Sequence, residues 1–94
     1  MAKRFVVVAY DISNDRRRTR LHDTLLDFGT PVQYSVFECL VNDREYTRLK
    51  KRVGRLIKPR LDHVRYYTLC ATCQAKIETT GGSEALTEEE VVIV

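Results

Sequence analysis

The sequence lacks several features that would place it in particular classes of protein. It has no apolar run long enough to cross a membrane, because the run that begins at Phe5 has only the length of a strand. No signal peptide is expected, since only Lys3 and Arg4 stand as basic residues before that short run. Three cysteines, an odd number without a secretion signal, argue against a disulfide framework. We therefore expect a cytoplasmic protein without membrane contact.

The residues that are present describe one small globular domain. The chain has 94 residues, 44% hydrophobic and 31% charged, which is enough for a single core. Its net charge of +3 is modest. The basic residues are locally dense, however, in residues 16–20, 48–55 and 58–60. This local density is more informative about partners than the total charge.

The chain is organised around residues 4–20. Residues 5–10 form an unbroken apolar run rich in β-branched side chains, which predicts a strand buried on both faces. Asp11 ends this strand, where a carboxylate lies at the edge of a sheet and a site can open to solvent. Residues 12–15 then give a polar turn with good helix-capping side chains.

Four arginines follow within the first turn and a half of the predicted helix: Arg16, Arg17, Arg18 and Arg20. Cations at this position oppose the helix dipole, so the stability of the helix does not explain them. A polyanion docked beside Asp11 would explain them, and a solvated charged face is the alternative. The pattern leaves both interpretations open.

The next segments alternate helix and strand. Leu21, Leu25 and Phe28 lie on one helix face, and Gly29 is expected to stop this helix as its C′ residue. His22 and Asp23 fall off the stripe and are expected to face solvent.

Residues 32–41 have high β-propensity and form either one long strand or two short strands that meet near Tyr34 and Ser35. The sequence does not decide between these alternatives. Asn42 and Glu45 form a predicted capping box for a second amphipathic helix. Residues 62–69 predict a further strand, and residues 75–78 a short one.

The element order predicts an α+β fold if the middle segment is a strand pair. The pattern is then a ferredoxin-like βαββαβ domain, an antiparallel sheet with two helices on one face, in residues 1–80. Its bare sheet face needs a partner, which favours a two-fold homodimer. Residues 81–94 are expected to be a hinge and an apolar C-terminal strand that pairs across the dimer.

Two motifs together resemble a known family. The first motif is residues 10–13 with the arginines at 16–18, and the second is residues 32–38. They are similar to the signature of the small CRISPR-associated endoribonuclease family, the partner of the integrase in the CRISPR spacer-acquisition module. The resemblance extends over nearly the whole chain, from the first strand to residue 70.

The resemblance implies a ferredoxin-like homodimer in antiviral defence, with two first-strand aspartates facing each other across the two-fold axis. The catalytic, metal-binding aspartate would be Asp11. Tyr10 and Phe37 match positions near the site, and Arg17 and Arg18 do so too, although the repetitive run leaves the correspondence of the arginines uncertain. The implied partners are a second copy of the chain, a CRISPR integrase subunit, and RNA or DNA.

The chemistry of a divalent metal agrees with these residues. Mg²⁺, with Mn²⁺ as the second choice, prefers oxygen ligands and keeps several waters, so one or two carboxylates and a substrate phosphate suffice. One carboxylate per protomer is sparse, however, and Asp15, the nearest second acid, is better explained by capping. Weak or absent nuclease activity is therefore consistent with the sequence.

Cys70 and Cys73 form a second candidate site. A CxxC pair is half of a zinc site, a redox pair or two packed thiols, and Cys39 and His63 are the only spare partners. The packed or partly exposed thiol pair is the favoured interpretation.

Two functions remain open from the sequence: a metal-dependent endonuclease, and a non-catalytic nucleic-acid-binding scaffold that bridges integrase dimers. An RNA-recognition module ranks last, because the first strand lacks the glycine-containing aromatic motif.

Overall fold

The computed structural model describes residues 3–81. These residues form a four-stranded sheet with two long helices and one short helix. In chain order the elements are β1 (Arg4–Asp11), α1 (Asp15–Leu25), β2 (Gly29–Gln33), β3 (Val36–Val41), α2 (Asp43–Leu56), β4 (His63–Leu69) and α3 (Ala71–Gln74).

The sheet has the strand order β2-β3-β1-β4, and every neighbouring pair is antiparallel. Together with the element order, this confirms the predicted ferredoxin-like α+β fold. The middle segment is the strand pair, with its turn at Tyr34 and Ser35. The backbone N–H of Tyr10 reaches across to the carbonyl of Ser35 at 3.0 Å, which ties this turn to the end of β1.

Both long helices begin at capping side chains that are recognisable in the sequence. The side chain of Asn14 accepts the N–H of Arg17 at 2.9 Å and caps α1. At α2, Asn42 and Glu45 exchange two hydrogen bonds of 2.8 Å, so the predicted capping box is confirmed. The start of α1 is therefore fixed four residues after the end of β1.

The core lies between the helices and one face of the sheet. Along β1, Val6, Val8 and Tyr10 are buried against the helices, whereas Phe5 and the other alternate residues are only half-buried. The prediction that β1 is buried on both faces is therefore wrong for the described residues, because all the helices packed on the sheet lie on one side. The second side, which we call the open face, carries Phe5, Val7, Ala9 and Asp11 of β1.

Gly29 does not act as the C′ residue of α1. The helix ends at Leu25, its cap is Leu26, and Gly29 is the first residue of β2. A Cβ at this position would lie 2.3 Å from the carbonyl oxygen of Glu38 and 2.6 Å from Sγ of Cys39. The glycine is needed because β3 passes too close for any side chain.

The predicted strand at residues 75–78 is also wrong. Cys70 opens the short helix α3, and the N–H groups of residues 74–77 donate to the carbonyls of Cys70, Ala71, Cys73 and Gln74. Since these donors are used in successive turns, the segment has no free edge for strand pairing. The predicted C-terminal tail, residues 82–94, lies outside the described residues.

No helix in the described part of the chain has the length and apolar character needed to cross a membrane.

Candidate active site and nucleic-acid surface

Asp11 is the last residue of β1 and is exposed to solvent. It follows the buried Tyr10, so the alternation along the strand puts its side chain on the open face. Within residues 3–81 its carboxylate makes no hydrogen bond or ion pair. A carboxylate that is exposed and uncommitted is available as a ligand for a cation.

Two side chains of β4 share the concavity around Asp11. Asp11 pairs in register with His63, and Ala9 pairs with Arg65. These residues and Tyr10 line an open concavity of about 430 Å³. The Arg65 guanidinium donates to Oη of Tyr67 at 3.3 Å and so lies along the strand. An acid, an imidazole and a guanidinium therefore meet at one end of the open face.

Arg17 forms the most buried ion pair of the described residues. Its Nε lies 2.8 Å and its Nη2 3.1 Å from the two carboxylate oxygens of Asp62. The Asp62 side chain is 0% exposed and that of Arg17 is 16% exposed. The backbone N–H of Lys58 donates to the same carboxylate at 2.8 Å. The hydrogen bond from Arg17 holds the pKa of Asp62 below its usual value, although burial opposes that shift.

Arg18 folds back over the turn between β1 and α1. Its guanidinium donates to the carbonyl of Ile12 at 2.9 Å and pairs with Asp15. Asp15 is the first residue of α1 rather than its cap, and this pair neutralises it. Arg17 and Arg18 are thus both held by the protein itself.

Arg16 and Arg20 are exposed, and within residues 3–81 neither forms an ion pair. They line a cleft of about 550 Å³ between the start of α1 and the end of α2. Arg55 and Lys58 line the other side of this cleft. We call these four cations the basic cleft. It unites residues of all three basic stretches seen in the sequence, and it brings Arg16 and Arg20 beside two stretches that lie more than 25 residues further along the chain.

Tyr10 and Phe37 lie under the sheet, on the face opposite Asp11. Both are buried, and their ring centroids are 6.5 Å apart. Burial raises the pKa of Tyr10, and a neighbouring tyrosine adds to the shift. The rings of Tyr10 and Phe37 thus pack on the core side of the sheet at the end of β1.

His22 differs from its expected place in solvent. Its ring meets the Phe37 ring edge-on at a centroid distance of 5.2 Å, and its side chain is 41% exposed. It lies on the helix side of the sheet, with the core beneath it. Asp23 is exposed as expected, with its side chain 70% accessible.

The two cysteines of the CxxC motif lie at the other end of the sheet from Asp11. Cys70 follows Leu69, which pairs with Phe5 at the start of β1. Both thiols are exposed, and Sγ of Cys70 accepts the N–H of Cys73 at 3.5 Å, which lowers the pKa of Cys70. Cys39 is buried in β3 and His63 is at the far end of β4. The described residues contain no group of three metal-ligating side chains at this motif or elsewhere.

Sequence reasoning missed Asp62, His63 and Arg65 as site residues, and it missed the inward position of Arg17. The stripe of Leu21 and Leu25, extended by four residues toward the N-terminus, reaches Arg17, so the helical period already indicated that this arginine points inward. Asp62, its partner, had no such signal. His63 and Arg65 alternate with Val64, whose apolar character indicated that they would share the other face.

Fold and site together define a small ferredoxin-like protein with an uncommitted carboxylate at the end of β1 and a basic cleft between α1 and α2. These features are typical of a protein that acts on nucleic acid. A family model described as CRISPR associated protein Cas2 matches residues 4–77 of the chain. The chain therefore belongs to the CRISPR associated protein Cas2 family.

Individual relatives agree with this assignment. The chain is 38% identical to CRISPR-associated endoribonuclease Cas2 1 of Chloroflexus aurantiacus over 92 residues, which cover 96% of this chain and 99% of that protein. The crystal structure of Streptococcus pyogenes Cas2 at pH 6.5 matches with a TM-score of 0.74 at 33% identity, over 82% of this chain and 99% of that one. A chain of a partial Cas6-RT-Cas1–Cas2 complex matches with a TM-score of 0.70 over 81% of this chain and 89% of that one. Its 24% identity makes this last likeness one of fold alone.

Proposed function

We propose that the chain is a divalent-metal-dependent endonuclease of the CRISPR adaptation machinery, with Asp11 as its catalytic carboxylate. The observation that carries the proposal is the uncommitted Asp11 carboxylate at the end of β1, in one concavity with Arg65. The relative from Chloroflexus aurantiacus, which is named as an endoribonuclease, supports the same activity. RNA and DNA are both retained as substrates.

The donors present suit a hard divalent cation. Asp11 supplies a carboxylate oxygen that no cation of residues 3–81 neutralises through an ion pair. Mg²⁺ or Mn²⁺ is held in proteins by one or two carboxylates together with waters and substrate phosphates. When bound, such an ion neutralises charge on the phosphate and makes a coordinated water more acidic. Arg65 binds a neighbouring phosphate group, because a guanidinium can donate two parallel hydrogen bonds to phosphate oxygens.

The basic cleft is the proposed surface for the nucleic-acid backbone. Arg16 and Arg20 form no ion pair in the described part of the chain, so their charge is available to phosphate. Arg17 and Arg18 act differently from the other two arginines of the run. They hold the protein scaffold at Asp62 and Ile12, and their contribution to phosphate binding is indirect.

The open face is the proposed homodimer interface. Its half-exposed apolar side chains include Leu40, 54% exposed, and Tyr67, 47% exposed, beside Phe5 and Val7 of β1. A two-fold axis through this face brings the two Asp11 residues toward each other, as the family resemblance implies. Residues 81–94 remain the proposed hinge and added strand, for which the outer edge of β4 is available within residues 3–81.

The second candidate function is a non-catalytic scaffold that carries nucleic acid between integrase dimers in the cytoplasm. The observation in its favour is the sparse donor set, since the described residues hold no group of three metal ligands. The basic cleft serves both functions equally well.

Nuclease assays with an Asp11→Asn variant separate the two functions. Purified wild-type protein is incubated with single-stranded and double-stranded RNA and DNA in Mg²⁺, Mn²⁺ or chelator. We expect cleavage only with metal, and a loss of about 100-fold or more in Asp11→Asn. Asp23→Asn changes another exposed acid, on α1, and is the matched control that should cleave like the wild type. Equal cleavage by Asp11→Asn would contradict the catalytic proposal, and metal-independent binding without cleavage would favour the scaffold.

Salt titrations test the basic cleft. Replacing Arg16 and Arg20 with alanine should weaken binding across all sequences and reduce the salt slope by about one for each phosphate that the variant no longer neutralises. Arg44→Ala is the control, because Arg44 is an exposed arginine at the opposite end of α2. A double variant with the wild-type slope would show that the cleft does not bind the backbone.

A further inference from the structure

The residue directly opposite Asp11 on the neighbouring strand is His63. The two are paired in the antiparallel register of β1 and β4. Residues paired in this way point to the same face of a sheet, with Cβ atoms about 4.5–5.5 Å apart. Each also alternates with a residue of the core side, Tyr10 in β1 and Val64 in β4, so both side chains belong to the open face.

Both side chains are available for binding. Asp11 and His63 are exposed, and within residues 3–81 neither side chain forms a hydrogen bond or an ion pair. They line the same concavity of about 430 Å³. At a Cβ separation of about 5 Å, a carboxylate oxygen and an imidazole nitrogen can both reach one divalent ion, because each metal–ligand distance is about 2 Å.

We propose that His63 is a second ligand of the metal ion held by Asp11 and that its nitrogen biases the site toward Mn²⁺ over Mg²⁺. The inference rests on the proposed metal-dependent function. Carboxylate and water oxygens suit both ions, whereas an imidazole nitrogen binds Mn²⁺, a transition-metal ion, more readily than it binds Mg²⁺, a hard ion that keeps oxygen ligands. A site with one oxygen donor and one nitrogen donor from each chain therefore discriminates between the two ions.

The guanidinium of Arg65 adds a second property to this site. It lies in the same concavity and is a positive charge that opposes a bare cation. A phosphate group bound between the guanidinium and the metal ion removes that opposition. The metal ion and the phosphate should therefore bind cooperatively, each strengthening the other.

The presence of only two histidines in the chain makes the proposal directly testable. Pulsed electron paramagnetic resonance of Mn²⁺ bound to the full-length protein detects nitrogen nuclei in direct coordination. We expect an imidazole coupling in the wild type, its loss in His63→Gln, and its retention in His22→Gln. His22 is the matched control because it lies on the helix side of the sheet, against Phe37.

Competition between the ions gives an independent readout. In His63→Gln, the preference for Mn²⁺ over Mg²⁺, measured by displacing Mn²⁺ with Mg²⁺, should fall by about tenfold or more. Circular dichroism checks that the variant keeps its fold, which is expected for an exposed residue at a strand end. Addition of a phosphodiester dinucleotide should tighten Mn²⁺ binding in the wild type and do so less in Arg65→Gln.

The outcomes separate this inference from the proposed function. Mn²⁺ that binds through Asp11, shown by its loss in Asp11→Asn, but without imidazole coupling would overturn the role of His63 and leave the metal-dependent nuclease intact. An unchanged ion preference in His63→Gln would do the same. If the wild type binds no Mn²⁺ even with the dinucleotide present, both the inference and the metal-dependent function fail.

Discussion

Replacement of Arg17 by methionine should destabilise the protein far more than the same change at Arg16. The change removes one partner from the Asp62 ion pair and leaves a carboxylate that is 0% exposed without its cation. Breaking a buried pair from one side costs about 3–5 kcal/mol. Arg17 itself is 16% exposed and the N–H of Lys58 still reaches Asp62, so we expect the lower end, about 3 kcal/mol.

This magnitude is large against the total stability of a small domain, about 5–15 kcal/mol. It corresponds to a fall in Tm of about 12–24 °C, at about 4–8 °C for each kcal/mol in a chain of this size. Urea unfolding followed by circular dichroism measures the free energy directly. Protein concentration must be held equal for all variants, because formation of the proposed dimer would add to the apparent stability.

Two comparisons make the experiment decisive. Arg16→Met changes an exposed arginine of the same helical turn and should stay within about 0.5 kcal/mol of the wild type. The double variant Arg17→Met with Asp62→Leu should be less unstable than the sum of its single changes, by about 0.5–3 kcal/mol. If Arg17→Met is as stable as Arg16→Met, the buried ion pair does not form and Arg17 becomes a phosphate-binding candidate again.

Three further predictions concern other parts of the molecule. Gly29→Ala should destabilise the protein by about 1–3 kcal/mol, because the added Cβ would overlap the backbone of β3. Gly54→Ala should instead stabilise α2 by about 0.5–1 kcal/mol, because a Cβ there has nothing within 4 Å. Equal unfolding midpoints for the two variants would contradict the close approach of β3 to Gly29. The pKa of Asp62 is lowered in the folded state. The ionised Asp62 therefore contributes to stability at pH values above 3.8, its usual pKa, and this contribution is lost as the pH falls from 3.8 through the lower pKa of the folded state. The free energy of unfolding of Arg17→Met should therefore fall less steeply with decreasing pH than that of the wild type. Identical pH profiles of stability for the two proteins would refute this linkage. Cys70→Ser with Cys73→Ser should leave metal content and nuclease activity unchanged, and stoichiometric zinc that disappears on mutation would show otherwise.

Much of the fold was predictable because local signals agree with one another. The capping box at Asn42 and the apolar stripe of Leu21 and Leu25 follow directly from helical geometry, and both are confirmed. The middle segment stayed undecided, since residues 32–41 contain no Gly, Pro or Asn to mark the turn at Tyr34 and Ser35. The position of this turn is fixed by the antiparallel pairing of β2 with β3, not by the local preferences of its residues.

The candidate site was less predictable than the fold. Asp11 stands out in the sequence because it ends an apolar run. That His63 lies beside it depends on the register between β1 and β4, which pairs two residues 52 positions apart in the chain. Within residues 3–81, Arg17 has a buried partner and Arg16 has none, because Asp62, which is 45 positions further along the chain, lies beside Arg17. Residues 75–78 had strand-like composition, but the hydrogen bonds of α3 satisfied their backbone locally.

The central position of β1 also has a consequence for biosynthesis. β1 is made before the other three strands, yet one of its two neighbours, β4, is made more than fifty residues later, since Asp11 pairs with His63 and Phe5 with Leu69. At about 5–20 residues per second, a ribosome takes roughly 3–13 seconds to supply that neighbour. During this interval β1, α1 and the β2–β3 hairpin can associate, but one edge of an apolar strand stays unpaired. The nascent chain is therefore most exposed to aggregation and to chaperones just before β4 emerges, and translation pauses between α2 and β4 would lengthen that period.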